Sequence, residues 1–125
     1  ELGMAVVNAA PFASGILAQP DNPDTPYVYH PTPPDVKKRV ERIAAICKDF
    51  DVDLPATAVG FSTKHPEISV TILGAATPAE IRAAAKATEA HFDQELWTVI
   101  AREVPPNLVD NVEEWRKTGA RPITL

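Results

Sequence analysis

Two short apolar runs, separated by long segments with helical periodicity, limit the folds that this chain can adopt. Met4–Asn8 is apolar in succession rather than in strict alternation, and Ile68–Leu73 is predicted as the second strand. A continuous apolar run such as Met4–Asn8 is typical of a strand that is buried on both faces of a parallel sheet. Strands that are joined through helices pair in parallel with a right-handed crossover. The sequence therefore predicts an α/β fold built on one parallel pair of strands.

The first predicted helix follows a proline-rich loop at residues 18–34 and opens at the capping pattern Thr32-Pro33-Pro34-Asp35. Apolar residues recur in it at intervals of three and four, which places them on one face. These residues are Val36, Val40, Ile43 and Cys47. We therefore interpret Cys47 as a small buried apolar residue and not as a nucleophile.

The second predicted helix runs from Asp53, its cap, to Lys64, with Pro55 in the first turn. Its apolar side is expected to consist of Leu54, Ala58 and Phe61. The residue before a proline avoids the helical region of the backbone, so the helix ends at His65-Pro66. His65 is then expected to be an exposed residue at the helix end and not a ligand or a base.

The third predicted helix begins in the segment Gly74–Glu80, directly after the second strand. Thr77 is a capping residue, Pro78 fits the first turn, and Glu80 stands where the carboxylate of a capping box reaches back. Exposed N–H groups at such a helix start suit a phosphate or pyrophosphate. A plain strand-to-helix turn with a good cap explains the same residues. The alanines at 83–85 further predict close packing of this helix, which extends to about Thr88, on a neighbouring surface.

A fourth helix is predicted after its cap Asp93, with Leu96, Trp97 and Ile100 as its apolar residues. Pro105-Pro106 interrupts the chain. A last short helix is expected at 107–117 with Trp115 as its anchor.

The composition indicates one globular domain without a polyanionic partner. The chain has 125 residues, of which 45% are hydrophobic and 23% charged, so it has the composition of a folded protein. The net charge of −5 and the absence of a basic stripe argue against nucleic acid and an anionic membrane as partners. The single cysteine excludes an internal disulfide and agrees with a reducing cytoplasm, the expected location.

The start of the chain predicts that it is part of a longer polypeptide. Glu1-Leu2-Gly3 leads directly into the first apolar run, and a buried strand at the start of a domain needs a neighbour to pair with. Two strands are also too few for a stable parallel sheet that is covered on both faces.

Two segments resemble the aldo-keto reductase family. Val6 to Leu17, with its Asn-Ala-(small)-(Pro/Ala)-(apolar)-x-x-Gly-x-Leu pattern, resembles the seventh strand and following turn of that family. Ile72 to Ala84 resembles the eighth strand and its helix. The loop Pro26–Pro31 is also similar. Within the family, the resemblance is closest to the sugar 1-dehydrogenase branch of L-fucose, L-galactose and D-threo-aldose dehydrogenases.

The resemblance implies that residues 1–125 form a single unit, the C-terminal part of a (β/α)8 TIM barrel. Only the last two strand–helix units would be present, and six strands would be absent. The family's catalytic Tyr, Lys, Asp and His come from earlier strands. Tyr27, Tyr29 and His30 lie elsewhere in the sequence, so no catalytic residue is expected in this chain.

The resemblance also implies a dinucleotide site. No metal site is expected, since the single cysteine gives no metal cluster. The nicotinamide and pyrophosphate side would be formed by residues of the first segment, namely Ala10, Pro11, Phe12, Ser14, Gly15 and Leu17. The phosphate of the adenosine would approach residues of the second segment, namely Gly74, Ala75, Ala76 and Thr77. Glu80 stands where members that prefer a 2′-phosphate have a basic residue, and Ala83 and Ala84 replace a Glu-Asn pair that holds the adenine.

These differences predict a preference for NAD over NADP and a weak hold on the adenine. A carboxylate at Glu80 repels a 2′-phosphate and accepts hydrogen bonds from a free ribose. Glu80 can equally be a residue of the capping box alone. Arg82 can replace the lost adenine contacts only in part, since it points in another direction on the helix.

Three functional hypotheses follow. In the first, the chain is the cofactor side of an NAD(P)-dependent enzyme that transfers hydride to or from a sugar or another small carbonyl compound. In the second, it is a stand-alone, non-catalytic half-barrel that binds a partner or a second copy through its strand edges. In the third, it is a small α/β domain with another role.

Overall fold

A computed structural model describes residues 4–22, 24–27 and 30–104 and confirms the parallel pair of strands. The strands are β1 (Val7–Asn8) and β2 (Val70–Thr71), with Val7 opposite Val70 and Asn8 opposite Thr71. The helices are α1 (Pro34–Asp49), α2 (Leu54–Lys64), α3 (Pro78–Glu89) and α4 (Gln94–Glu103). The helix expected at 107–117 and its anchor Trp115 lie outside the described residues.

The two strands are shorter and more exposed than the sequence predicts. Val7 is 52% exposed, Val70 51% and Ile72 56%, so the expectation of strands buried on both faces is wrong for the described structure. Asn8 and Thr71 face α2, and alternate residues of a strand point to the opposite face. Among the described residues, no helix covers that opposite face, and its apolar side chains remain exposed.

Three of the four predicted helix caps are confirmed. The side chains of Asp53, Thr77 and Asp93 accept hydrogen bonds from backbone N–H groups in the first turns of α2, α3 and α4. The predicted cap of α1 is wrong. Pro33 takes the capping position without a side-chain hydrogen bond, and the hydroxyl of Thr32 donates to the carbonyl oxygen of Thr25 at 2.8 Å.

The core consists of two clusters that share α1. One joins Val40 and Cys47 of α1 to Leu54 of α2 and to Ile16. The other contains Ile46, Phe92 and Leu96. The predicted apolar face of α1 is thus confirmed: Val40 and Cys47 are buried, and Val36 and Ile43 pack against them. Within the described ranges, every helix is too short or too polar to cross a lipid bilayer.

Helix α2 buries small and polar residues rather than its predicted apolar side. Phe61 is 54% exposed, whereas Thr57, Gly60 and Ser62 are buried with Leu54 and Val59. The reason is tertiary, since α2 packs against α1, α3 and β2 together. Small residues let these neighbours approach closely.

Two further expectations on side-chain exposure are corrected. The alanines at 83–85 do not pack closely: Ala83 and Ala85 are exposed and Ala84 is half-buried, whereas Ala87 is buried. His65 does end α2, but it is half-buried rather than exposed. Its ring contacts Phe61, and its Nδ1 accepts a hydrogen bond from the N–H of Glu67 at 3.3 Å.

We predict that Gly60→Ala destabilises the fold by about 1–3 kcal/mol through overpacking. A Cβ at Gly60 would lie 2.3 Å from Cε2 of Phe92, whose ring is held in the core. Urea denaturation followed by circular dichroism measures the change. Gly74→Ala is the matched control, because a Cβ there has nothing within 4 Å. A Gly60→Ala protein as stable as the wild type would contradict this interpretation of the close contact.

We predict that Ser62→Ala lowers the free energy of unfolding by about 1–3 kcal/mol, the cost of leaving buried polar groups unpaired. The Ser62 hydroxyl joins α2 to both strands, at 2.7 Å from Asn8 Nδ2 and 2.7 Å from Thr71 Oγ1. The control is Thr63→Ala, since the exposed Thr63 side chain bonds only within its own helix. Equal stability of the two variants would argue against a role for the network.

Candidate functional site

A cavity of about 530 Å³ lies between the first half of α2, α3 with the turn before it, and the turn that follows β1. Its walls come from three separate segments of the chain. They are lined by Phe12, Ala18 and Gln19; by Asp53, Pro55, Ala56 and Val59; and by Leu73, Gly74, Ala76, Glu80, Ala83, Ala84 and Ala87. The cavity is therefore formed by tertiary packing and is lined mostly by small apolar side chains.

The α3 corner of the cavity is a complete capping box. Thr77 Oγ1 accepts a hydrogen bond from the N–H of Glu80 at 3.2 Å. Glu80 Oε2 accepts one from the N–H of Ala76, the residue before the cap, at 2.7 Å. The capped strand-to-helix turn that the sequence offered as one explanation of this segment is thus present. Two N–H groups that could have faced an anion are already paired within the protein.

The α2 corner repeats this arrangement with an aspartate. Asp53 Oδ2 accepts a hydrogen bond from the N–H of Ala56 at 3.3 Å. Among the described residues, Asp53 and Glu80 are the charged side chains that line the cavity, and no described Lys, Arg or His lines it. Two helix N-termini, each favouring negative charge by its dipole, are therefore both supplied with a carboxylate of the protein.

The turn after β1 brings the aromatic ring of Phe12 to the cavity. Ala13, Ser14 and Gly15 form a short 3-10 turn with φ values of 48°, 65° and 104°. Two backbone hydrogen bonds close the turn, from Ala13 to Ala10 at 3.0 Å and from Gly15 to Phe12 at 2.9 Å. Asn8 Oδ1 also accepts from the N–H of Ala10 at 3.2 Å, which ties the turn to the strand.

The structure brings only some of the predicted cofactor residues together. Those that line the cavity are Phe12, Gly74, Ala76, Glu80 and Ala84, together with Ala83. Those that do not line it are Ala10, Pro11, Ser14, Gly15, Leu17, Ala75 and Thr77. Leu17 packs against the first core cluster instead.

Asp53 and Gln19 line the cavity and were absent from the predicted site. Asp53 was predicted only as a helix cap. Its position beside the cavity depends on the packing of α2 on α3, for which the local sequence carries no signal.

Comparison with known proteins gives the family. Residues 1–102 match the aldo/keto reductase family. The chain belongs to that family. Pyridoxal 4-dehydrogenase of Microbacterium luteolum is 34% identical over 101 residues, which are 81% of this chain and 30% of that protein. D-threo-aldose 1-dehydrogenase of Pseudomonas sp is 33% identical over 102 residues, which are 81% of this chain and 31% of that protein.

A third relative, L-galactose dehydrogenase of Arabidopsis thaliana, is 27% identical over 79 residues, which are 63% of this chain and 24% of that protein. The predicted resemblance to the family and to its sugar dehydrogenase branch is thereby confirmed. The chain spans less than a third of the length of each of these relatives. The family implies a TIM barrel, and the parallel pair with its four helices agrees with part of one.

The described tyrosine and histidine of the proline-rich loop in this aldo/keto reductase chain do not line the cavity. Tyr27 and His30 pair through their backbones, at 2.9 and 3.0 Å, and neither lines the cavity. Tyr29 lies outside the described residues. Within the described part of the chain, no three His, Cys, Asp or Glu side chains are grouped to hold a metal ion.

Cys47 is buried in the first core cluster of this aldo/keto reductase chain and is not a nucleophile of the site. Burial raises the pKa of the Cys47 thiol above its ordinary value, and the nearby carboxylate of Asp53 also raises it, while the hydrogen bond to Thr57 partly opposes these effects. The thiol donates to Thr57 Oγ1 at 3.6 Å. A buried thiol with a raised pKa remains protonated and unreactive.

We predict that the free energy of unfolding of the wild type falls as the pH rises above about 8.5, the ordinary pKa of an exposed thiol. The Cys47→Ala variant should not show this fall. Because the pKa of Cys47 is raised in the folded state, the unfolded chain loses this proton at lower pH. The stabilising effect is therefore complete below that pH and declines as the pH rises. Urea denaturation at several pH values measures it. Parallel curves for both proteins would contradict the burial of the thiol.

Proposed function

We propose that this chain is the cofactor-binding part of an NAD(P)-dependent aldo/keto reductase. The observation that carries the proposal is the cavity, which joins residues of the two segments that resemble the family's cofactor strands. Phe12 comes from the first segment, and Gly74, Ala76 and Ala84 come from the second. These two segments are distant in sequence and meet at the cavity only through the fold.

The chemistry of the lining suits the adenosine half of a dinucleotide. An adenine ring is flat and largely apolar on its faces, and the cavity offers alanine, glycine and aromatic surface. Its volume of about 530 Å³ is within the range of ligand pockets, roughly 300–1,000 Å³. The weak hold on the adenine predicted from Ala83 and Ala84 also follows, since neither alanine can donate or accept a side-chain hydrogen bond.

In the proposed enzyme, this chain binds and orients rather than reacts. A bound nicotinamide supplies or accepts the hydride. The turn at residues 10–17 holds its pyrophosphate side, and the α3 corner holds the adenosine. The catalytic Tyr, Lys, Asp and His would come from the preceding strands of a (β/α)8 barrel, of which residues 1–125 form the C-terminal unit. We propose a small sugar or carbonyl substrate, by analogy with D-threo-aldose 1-dehydrogenase.

The same geometry supports a preference for NAD over NADP. Glu80 lines the cavity, and a carboxylate there disfavours a ribose that carries a 2′-phosphate. Its part in the capping box uses Oε2 alone. Both roles that the sequence left open for Glu80 can therefore be served by one side chain. We place this chemistry in the cytoplasm, because a single cysteine agrees with a reducing compartment.

The exposed strands favour a second function, assembly with a further polypeptide. Val7, Val70 and Ile72 expose apolar surface, and strand edges without a partner are templates for pairing. A stand-alone half-barrel would bury this surface against a second copy. Sedimentation velocity distinguishes the two, because a monomer at micromolar concentration would count against self-assembly.

We predict that the chain alone binds the adenosine half of the cofactor and leaves the nicotinamide fluorescence of NADH unchanged. In the proposed enzyme, the nicotinamide pocket would also need earlier strands of the barrel, whereas the adenosine half would contact described residues that line the cavity. Two-dimensional amide NMR should show shifts at Gly74, Ala76 and Ala84 with millimolar ADP-ribose. Nicotinamide mononucleotide is the control and should leave these signals in place. No shift with either compound would contradict the cofactor-side role.

A further inference from the structure

We propose that a second cavity, at the opposite end of α2 from the first, is a binding site for a small aromatic carboxylate. Its volume is about 420 Å³, which is within the range of ligand pockets, roughly 300–1,000 Å³. Its walls come from the second half of α2, from His65-Pro66, and from residues 91–97 around the start of α4. The described residues that line the two cavities are all different. The inference therefore does not depend on the cofactor-binding proposal.

A continuous aromatic surface forms the apolar wall of this second cavity. The ring centroid of Phe61 lies 5.5 Å from that of His65 and 6.0 Å from that of Trp97, and Trp97 lies 5.4 Å from Phe92. The three pairs are tilted by 56°, 55° and 55°, so none of these rings lies flat on another. Phe61 lines the cavity and remains 54% exposed. Aromatic rings favour tilted or offset contacts, so the exposed part of this ring can accept a further one.

Hydrogen-bond donors without a described partner border this aromatic surface. Within the described part of the chain, the side chains of Lys64 and His91 form no ion pair and no hydrogen bond. His65 Nδ1 accepts from the N–H of Glu67 at 3.3 Å, which places the proton of a neutral His65 ring on Nε2. No described group accepts a hydrogen bond from that Nε2. The lining thus offers an ammonium group and an imidazole N–H beside the aromatic rings.

The charge of this lining is opposite to that of the whole chain. The chain carries a net charge of −5, whereas Lys64 and no described Asp or Glu lines the second cavity. The nearby Asp93 caps α4 and accepts a hydrogen bond from the N–H of Glu95 at 2.8 Å. One ammonium group matches one carboxylate, whereas a phosphate ester carries about −1.5 to −2 charges. The lining therefore fits a flat ring that bears a single carboxylate.

The position of Lys64 also has an explanation within the helix, and the experiment has to separate the two. Lys64 stands in the last turn of α2, where a cation is stabilising whatever the cavity binds. Lys86 has the same place in α3, is exposed, and does not line the second cavity. Lys86→Met is therefore the matched control for Lys64→Met, since both substitutions remove a cation from a last turn.

The experiment titrates the full chain with 2-naphthoate and follows its amide and indole N–H signals by NMR. Two comparison compounds each lack one feature. 2-Naphthylmethanol keeps the aromatic rings without the charge, and decahydro-2-naphthoate keeps the charge and size without the aromatic rings. We expect saturable shifts at Phe61, His65 and Trp97, and none at Gly74 or Ala84 of the first cavity.

The expected affinities follow from the two kinds of contact. An exposed ion pair should make 2-naphthoate bind roughly two- to fivefold more tightly than the alcohol. Contacts between aromatic rings should make it bind roughly two- to tenfold more tightly than the saturated acid.

Two variants separate the aromatic contact from the charge. Phe61→Leu should reduce the preference for 2-naphthoate over the saturated acid and keep its preference over the alcohol. Lys64→Met should have the reverse effect, and Lys86→Met should leave both preferences unchanged. Phe61 and Lys64 are both exposed, so neither substitution removes a core side chain, and circular dichroism melts verify that all variants fold.

Four results would overturn the proposal. They are the absence of saturable shifts, shifts located at the first cavity, equal binding of 2-naphthoate and either comparison compound, and an equal effect of Lys64→Met and Lys86→Met. Each of these results leaves the cofactor-binding proposal standing, because that proposal is tested by ADP-ribose at a different cavity.

Discussion

The packing of α2 on three neighbours is the constraint on which the rest of the described structure depends. Helix α2 contacts α1, α3 and β2, so most of its circumference is occupied. Gly60 admits the ring of Phe92, and the Ser62 hydroxyl reaches both strands. Close packing tolerates neither added volume nor unpaired polar groups at such positions. The small and polar residues of α2 are therefore what allow the helices and the strand pair to meet.

The site is a consequence of that packing. Because α2 lies against α3, the starts of both helices border one cavity, and the carboxylates that cap them become its charged groups. The same two residues, Asp53 and Glu80, accept hydrogen bonds from backbone N–H groups and are the charged side chains of the cavity among the described residues.

Features that depend on neighbours in sequence were predictable. The caps Asp53, Thr77 and Asp93 form bonds that span two or three residues, and the apolar face of α1 follows from its periodicity. The end of α2 at His65-Pro66 has an equally local cause. The family, too, was recognisable from short segments around Asn8 and Gly74.

Features that depend on distant partners were not predictable. The burial of Ser62 and the exposure of Phe61 follow from which elements surround α2, and its sequence is nearly as apolar on one side as on the other. The strands were expected to be buried, because apolar strands are typical of a sheet that is covered on both faces. The described residues cover only one face. The place of Asp53 at the cavity required the contact of α2 with α3.

The left-handed turn at Ala13–Gly15 affects how the small-residue segment after β1 is interpreted. Positive φ values are costly for residues with a Cβ and are worst for branched or bulky ones, so Ala13, Ser14 and Gly15 suit this backbone in size. Ser14 and Gly15 do not line the cavity. The composition of this turn is therefore explained first by chain reversal. Small residues in a turn of this kind are explained by the backbone conformation, independently of any ligand that binds to the neighbouring surface.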